Sequence, residues 1–314
     1  MEVQLQQLRY FVSVAESGHF TRSAEALGVS QPTLSKQIHT LEAALGAPLF
    51  DRSRGGVMLT TAGETLLPLA RRMVADADAA RDAVQEVVGL RRGRVRLGAT
   101  PSLCTSLVPA VLRRFHAAHP DIALHVDEGG SQDLVAGLVA HQLDLALIVA
   151  SAHGTDPALD VVPILREDLV VASVHPLPTM LTLRELRDTP MVMFRIGYDL
   201  RDVTIEACRR AGFTPRYAVE GGELDAVLAF VEAGLGVALV PSMALVNRPL
   251  LRATPLAAPG VHRTIALANP RGAVLSHAAR ALRAMLLEQT VQTPGVRRVE
   301  ALESPASEVR GRPG

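Results

Sequence analysis

Between Ser30 and Arg52 the chain reads SQPTLSKQIHTLEAALGAPLFDR, with Leu34, Ile38, Leu41 and Leu45 at i, i+4, i+7 and i+11. That spacing puts all four on one side of an α-helix, with Pro32, Thr33, Ser35, Lys36, His39 and Thr40 on the other. A short helix with one apolar stripe must pack against something, and two earlier amphipathic segments offer themselves. Leu5, Leu8, Phe11, Val12 and Ala15 predict an inward face on a helix that stops near Gly18. A second helix is expected from Thr21, as its N-cap, to Leu27, with Gly28 making a tight turn. Ser30 suits the next N-cap, and Pro32 falls in the first turn, where a missing N–H costs little. Helix, short glycine turn, helix is the helix-turn-helix signature. LFDRSRGGVMLT then reads as a hairpin with Gly55-Gly56 at its tip, which would be a wing.

TAGETLLPLARRMVADADAARDAVQEVVGLRRG follows. Thr61 and Glu64 are spaced as a capping box and mark a helix start. Leu66, Ala70, Met73, Ala77, Ala80, Val84 and Val87 alternate spacings of four and three, the period of a coiled-coil seam over about three heptads. Packing of one amphipathic helix on its own domain would use the same residues, but an exposed seam needs a partner. Pro68 sits in the helix interior, where a bend is expected.

From Gly93 the pattern changes. GRVRLGAT, IALHVDEG, LDLALIV, DLVVASV, PMVMF, PRYAVEGG, GVALVP and HRTIALA read as short strands. Helical stretches at 103–118, 132–141, 199–211, 223–233 and 275–288 separate many of them, which predicts largely parallel sheets in open-faced α/β domains. The tail from about Gln292 is rich in Pro, Gly and charge and is expected to be disordered.

At 314 residues the chain has length for about two domains. Formal charge balances at 32 basic and 32 acidic residues, so only local charge can create a binding field. Lys36 is the one lysine. The N-terminus has no basic-then-apolar leader pattern, and no window approaches the roughly 18 apolar residues of a membrane span. A cytoplasmic protein without membrane contact is expected. Cys104 and Cys208 are too few for a disulfide framework.

LRYFVSVAESGHFTRSAEALGVSQPTLSKQIHTLEAALGAPLFDR and LTTAGETLLP together resemble the DNA-binding domain of the LysR-type transcriptional regulators. GELDAVLAFVEAGLGVALVP resembles that family's effector-domain signature, and the likeness covers about residues 3–290. It implies an α+β multidomain protein: a winged helix-turn-helix over 1–60, a dimerising linker helix over 61–92 and an effector domain over 93–290. The effector domain would be of periplasmic-binding-protein type, with subdomain one at 93–163 and 268–290 and subdomain two at 164–267. Residues 291–314 would form the disordered tail.

The polar face then has a use. Singly, such side chains are solvated; together at the first turns of a recognition helix they meet base edges and phosphates. Ser30, Gln31, Pro32, Thr33, Ser35 and Lys36 would face DNA, and Arg52 and Arg54 on the wing would reach flanking backbone. Gln can read adenine, Thr a thymine methyl, and Lys a phosphate or guanine. His39 lies deeper and is expected to be exposed without a role. Arg9, Arg22, Lys36, Arg52 and Arg54 are offset by Glu2, Glu16, Glu25, Glu42 and Asp51, so two domains in a dimer would be needed for affinity.

In the effector half, Thr100, Pro101 and Ser102 lie at the first strand-to-helix turn, and Gly129, Gly130 and Ser131 at the second. Phe194, Arg195, Tyr198, Gly221 and Gly222 come from subdomain two. The resemblance places an inducer among them, and Arg195, if it faces the cleft, suggests a carboxylate. Ser102 and Ser131 could equally be helix caps alone.

No cofactor and no metal are expected, and no P-loop, GxSxG elbow or metal-spaced cluster argues for an enzyme. His116, His119 and His141 read as solvated surface. Two alternatives stay open: a thiol- or redox-responsive regulator of the same fold, and a solute-binding protein. The family implies double-stranded DNA, a small-molecule effector, a homodimer or homotetramer and RNA polymerase as partners.

Overall fold

The computed structural model describes residues 2–51, 57–87, 93–150, 156–288 and 296–298. Helices α1 (Leu5–Ser17), α2 (Phe20–Leu27) and α3 (Gln31–Leu45) pack as a trihelical unit, followed by strands β1 (Phe50–Asp51) and β2 (Met58–Leu59). Leu8, Phe11 and Val14 of α1 meet Leu34, Ile38 and Leu41 of α3 in one core, closed by Phe50 with its ring centroid 5.3 Å from Phe11. Each such buried side chain contributes about 1.5–3 kcal/mol. Leu5 and Leu45 are exposed rather than inward; each is the terminal residue of its helix, and the core takes Tyr10 and Val14 instead. Gly28 takes φ 67° at the turn between α2 and α3, a left-handed conformation that a side chain would resist. The N-cap of α2 is His19, not Thr21, and it makes no side-chain capping bond. Ser30 does cap α3, accepting from the Thr33 N–H at 3.3 Å.

β1 and β2 pair antiparallel, and the hairpin tip with Arg52 and Arg54 lies outside the described residues. Helix α4 (Thr61–Val87) has 27 residues and is therefore about 40 Å long. Its cap is Thr60 rather than the expected Thr61: Thr60 Oγ1 accepts from the Gly63 N–H at 3.1 Å and donates to Pro48 O at 2.7 Å. The end of β2 thus fixes where α4 begins.

The second half contains β3 (Gly93–Ala99), α5 (Pro101–Cys104), α6 (Leu107–Ala118), β4 (Ile122–Glu128), α7 (Ser131–Val139) and β5 (Leu145–Val149). The long strand β6 (Leu159–Ser173) leads to β7 (Met191–Met193), α8 (Asp199–Arg210), β8 (Tyr217–Glu220), α9 (Leu224–Glu232), β9 (Ala238–Pro241) and β10 (Arg252–Pro255). β11 (His262–Pro270), α10 (His277–Glu288) and β12 (Val296–Arg298) complete the described elements. The main sheet runs β10-β6-β11-β5-β3-β4, with β9 and β12 also on β6. β3 is parallel to β4 and β5, and β7 to β8, whereas β6 and β11 run antiparallel to every strand they pair with. The sheets are therefore mixed, not largely parallel, because β6 and β11 cross between the two halves of the domain and return.

Leu169–Ala172 in β6 belong to a core with Met191, Phe194, Leu228 and Leu239, while Ile164 and Leu165 belong to one with Leu97, Phe115 and Leu147. One strand thus enters two cores, and the β6–β11 register slips between Ile265 and Ala266. The tail was expected to be disordered, but β12 within it pairs with Leu165–Glu167 of β6 and buries Val296.

Candidate functional site

Leu34, Ile38 and Leu41 are wholly buried, which turns the opposite side of α3 outward. Gln31, Pro32, Thr33 and Lys36 are exposed and Ser35 is half-buried. Ser30 and Thr33 share a hydroxyl–hydroxyl bond of 2.7 Å, holding the first turn. His39 is exposed with Nδ1 3.1 Å from a Glu42 carboxylate oxygen; the other oxygen of Glu42 accepts from the Leu49 N–H at 2.8 Å. Arg9 is not available to this face, since its guanidinium is paired with Asp78 of α4. Arg71 of α4 is likewise tied to Glu16 at 3.1 Å.

The expected seam on α4 divides. Ala70 is fully buried in the trihelical core and Leu66 packs against it, so both serve their own domain. Met73 is 51% and Val84 65% exposed, Ala80 is exposed and Ala77 half-buried. Leu69, absent from the expected seam, is also exposed. The Val87 side chain lies outside the described residues.

At the carboxyl ends of β3 and β4, a Gly129 N–H to Ala99 O bond of 3.2 Å joins the two turns that carry Thr100–Ser102 and Gly130–Ser131. Thr100, Pro101, Ser102 and Ser131 are all buried. Thr100 Oγ1 and Ser242 Oγ, the latter on the 3-10 turn Ser242–Leu245, are buried without hydrogen-bond partners. From the other subdomain, the Gly221 N–H donates to Met193 O and the Arg195 N–H to Gly222 O, both at 2.9 Å, which joins the turns after β7 and β8. Gly222 has φ 83°, and a Cβ there would meet the Ala226 methyl at 2.8 Å.

Two expected effector residues behave otherwise. Phe194 is buried in the core of its own subdomain with Tyr198 stacked on it at 5.2 Å. Arg195 is exposed and paired with Glu223 at 2.7 Å, so its charge is already matched. Burial pushes the Tyr198 phenol upward, keeping it a neutral hydroxyl.

The polar centre of the junction is not legible in the sequence. Arg263 of β11 and Glu167 of β6 are register partners, 5% and 0% exposed, and pair at 2.8 Å. Arg263 also donates to Ser102 Oγ at 2.6 Å, and Glu167 accepts from the Met243 N–H at 2.9 Å. An arginine has no acceptor, so the Ser102 oxygen accepts here and its proton points elsewhere. The pair thus ties both crossover strands to α5 on one side and the 242–245 turn on the other.

Burial, with Glu128 adding at Cys104, pushes Cys104 and Cys208 each up to about 11, which disfavours the thiolate form. His141 is not solvated surface. It is half-buried with φ 55°, and its carbonyl accepts from Arg96 at 2.9 Å. It faces α4, beside a cleft of about 590 Å³ between the N-terminal domain and the second half, which Arg9, Arg71, Asp76 and Asp144 also line. Among the described residues, no three His, Cys, Asp or Glu side chains gather to hold a metal ion, and no helix is long and apolar enough to cross a membrane.

Residues 5–64 match the family model for the bacterial regulatory helix-turn-helix protein, LysR family, and residues 89–291 match the LysR substrate binding domain. A relative in Mycobacterium avium, described as a probable hydrogen peroxide-inducible genes activator, is 36% identical over 268 residues, which is 83% of this chain and 86% of the relative. A full-length OxyR variant from Pseudomonas aeruginosa matches with a TM-score of 0.78 and 26% identity, over 96% of this chain and 99% of that one. Full-length CbnR, solved with its target DNA, matches with a TM-score of 0.65 and 25% identity over 91% and 98%. The chain belongs to the LysR family: it is a DNA-binding transcriptional regulator with an N-terminal helix-turn-helix, a long helix and a C-terminal effector-binding α/β domain, and it is not an enzyme.

Proposed function

We propose that α3 enters the major groove and that a small-molecule effector, held between the two α/β subdomains, controls what the bound protein does. Ser30, Gln31, Pro32, Thr33, Ser35 and Lys36 would meet DNA, with Arg52 and Arg54 beside them. The carrying observation is the outward polar turn of α3 behind a fully buried stripe of Leu34, Ile38 and Leu41. That CbnR was solved on its target DNA supports the same use of the likeness. The effector would lie against Thr100, Pro101, Ser102, Gly130 and Ser131 on one side and Tyr198 and Gly221 on the other. The Thr100 hydroxyl is unpartnered and the Ser102 proton is not used by its bond from Arg263, so both can donate to a ligand acceptor such as a carboxylate. Met73, Ala77, Ala80 and Val84 would face a second copy in a dimer, two dimers could form a tetramer, and RNA polymerase would be the downstream partner.

The test is selection of genomic fragments by the purified chain. Recovery of a small set sharing an interrupted inverted repeat supports this function; a set with no common motif would refute it. The peroxide-inducible relative suggests a redox-responsive second reading. Thiols held up near 11 oppose it, and peroxide should therefore leave binding to a selected fragment unchanged.

A further inference from the structure

Across the cleft from the paired crossover strands, α7 and α8 approach each other with their N-termini. Ser131 is the first residue of α7 and Asp199 the first of α8. The Ser131 N–H donates to Asp199 Oδ2 at 3.3 Å. A first-turn N–H has no acceptor within its own helix, so something outside must take it. Here the acceptor is a carboxylate from the other subdomain. Ser131 is further fixed because its hydroxyl accepts from the Val149 N–H at 3.0 Å, at the end of β5. Asp199 is held through its neighbour, since Tyr198 is stacked on Phe194 in the subdomain-two core.

We propose that Asp199 is a strap: its bond to Ser131 holds the two subdomains closed on each other when no effector is present, and releasing it changes how the regulator engages DNA. This rests on reading the cleft as the effector site. The two sides of the cleft differ in strength. On the hinge side the subdomains share the continuous strands β6 and β11 and the buried Arg263–Glu167 pair. On the Asp199 side, among the described residues, the tie is the charge-assisted Ser131–Asp199 hydrogen bond at a half-buried position. The weaker tie opens first, with the strands as hinge. A ligand entering beside Ser131 must compete with Asp199 for the same N–H, so the strap sets the threshold for an anionic effector.

The experiment compares full-length wild type, Asp199→Ala and Asp202→Ala by amide hydrogen exchange with residue resolution. Asp202 also lies in the first turn of α8, so its variant controls for loss of an acidic residue from that helix. The strap predicts that Asp199→Ala speeds exchange at the Ser131 amide by about tenfold or more, and that Asp202→Ala changes it by less than about twofold. Equal exchange in all three chains overturns the proposal. The same variants are then titrated, without ligand, onto a genomic fragment selected by the wild type. A change in affinity of about fivefold or more for Asp199→Ala alone supports the regulatory role. Faster exchange with unaltered DNA affinity overturns that role. A wild type that selects no fragment would instead sink the proposed function, while the exchange result would still judge the strap.

Discussion

Arg263 and Glu167 stand 96 residues apart, and nothing within either strand announces the other. HRTIALA reads as a strand carrying Arg263, and Glu167 stands just before the strand DLVVASV among Arg166 and Asp168; only the register makes Arg263 and Glu167 a pair. Removing one member leaves the other buried without its counter-charge. Arg263→Met alone should cost about 3–5 kcal/mol in urea unfolding, while Arg263→Met with Glu167→Met should recover most of that loss. A double variant no more stable than the single one would contradict this account. His141 makes a separate prediction. Burial depresses its imidazole, with Arg72 and Arg96 adding and Asp76 and Asp144 opposing. The unfolded chain therefore takes up the proton more readily. The contribution of neutral His141 is complete above about 6.5, the unfolded value, and is lost as pH falls through the lower folded value. His141→Asn tolerates the left-handed φ and should flatten the fall in urea midpoint between about pH 7.5 and 5. Parallel pH dependences in the two chains would rule His141 out as its source.

At the scale of elements, much was legible. The i, i+4, i+7 stripe fixed which face of α3 is buried, because three helices leave no other way to hide Leu34, Ile38 and Leu41. The start of α4 was misplaced by one residue, since Thr60 and Thr61 are equally good caps in isolation and the strand before them decides. Its heptad pattern blended two faces. The first positions, Leu66 and Ala70, pack inward, and the outward stripe is Leu69, Met73, Ala80 and Val84. These should separate experimentally. Ala70→Leu should destabilise the fold by about 1–3 kcal/mol through overpacking, leaving subunit association intact. Val84→Glu should leave the unfolding midpoint near wild type and shift the chain toward monomer in sedimentation velocity. The reverse assignment of effects would place the interface elsewhere.

On the scale of the whole molecule, the switch from helical to alternating grammar at Gly93 was enough to separate a helix-turn-helix, a long helix and an α/β domain. The crossing strands were harder. β6 spans two cores within one run of 15 residues, and only its second part, DLVVASV, carries a strand pattern legible in the sequence, so the parallel character was overestimated. The effector cleft was legible as turns but not as chemistry. Its buried Arg–Glu pair, its unpartnered Thr100 hydroxyl and its Asp199 bond all depend on distant segments meeting. Charge is another whole-molecule matter. With Arg9 committed to Asp78, Lys36 is an exposed cation on the outward side of α3 in a chain of zero net charge. The most direct test is therefore the salt dependence of binding to one selected genomic fragment, by fluorescence anisotropy between about 50 and 200 mM salt. Wild type should bind that fragment well above a scrambled duplex. Lys36→Ala should bind more weakly and with a log–log salt slope shallower by about 0.9 for each Lys36 at the DNA. Equal affinity for both duplexes, or a Lys36→Ala slope identical to wild type, would mean that the polar face of α3 is wetted by solvent and does not contact DNA.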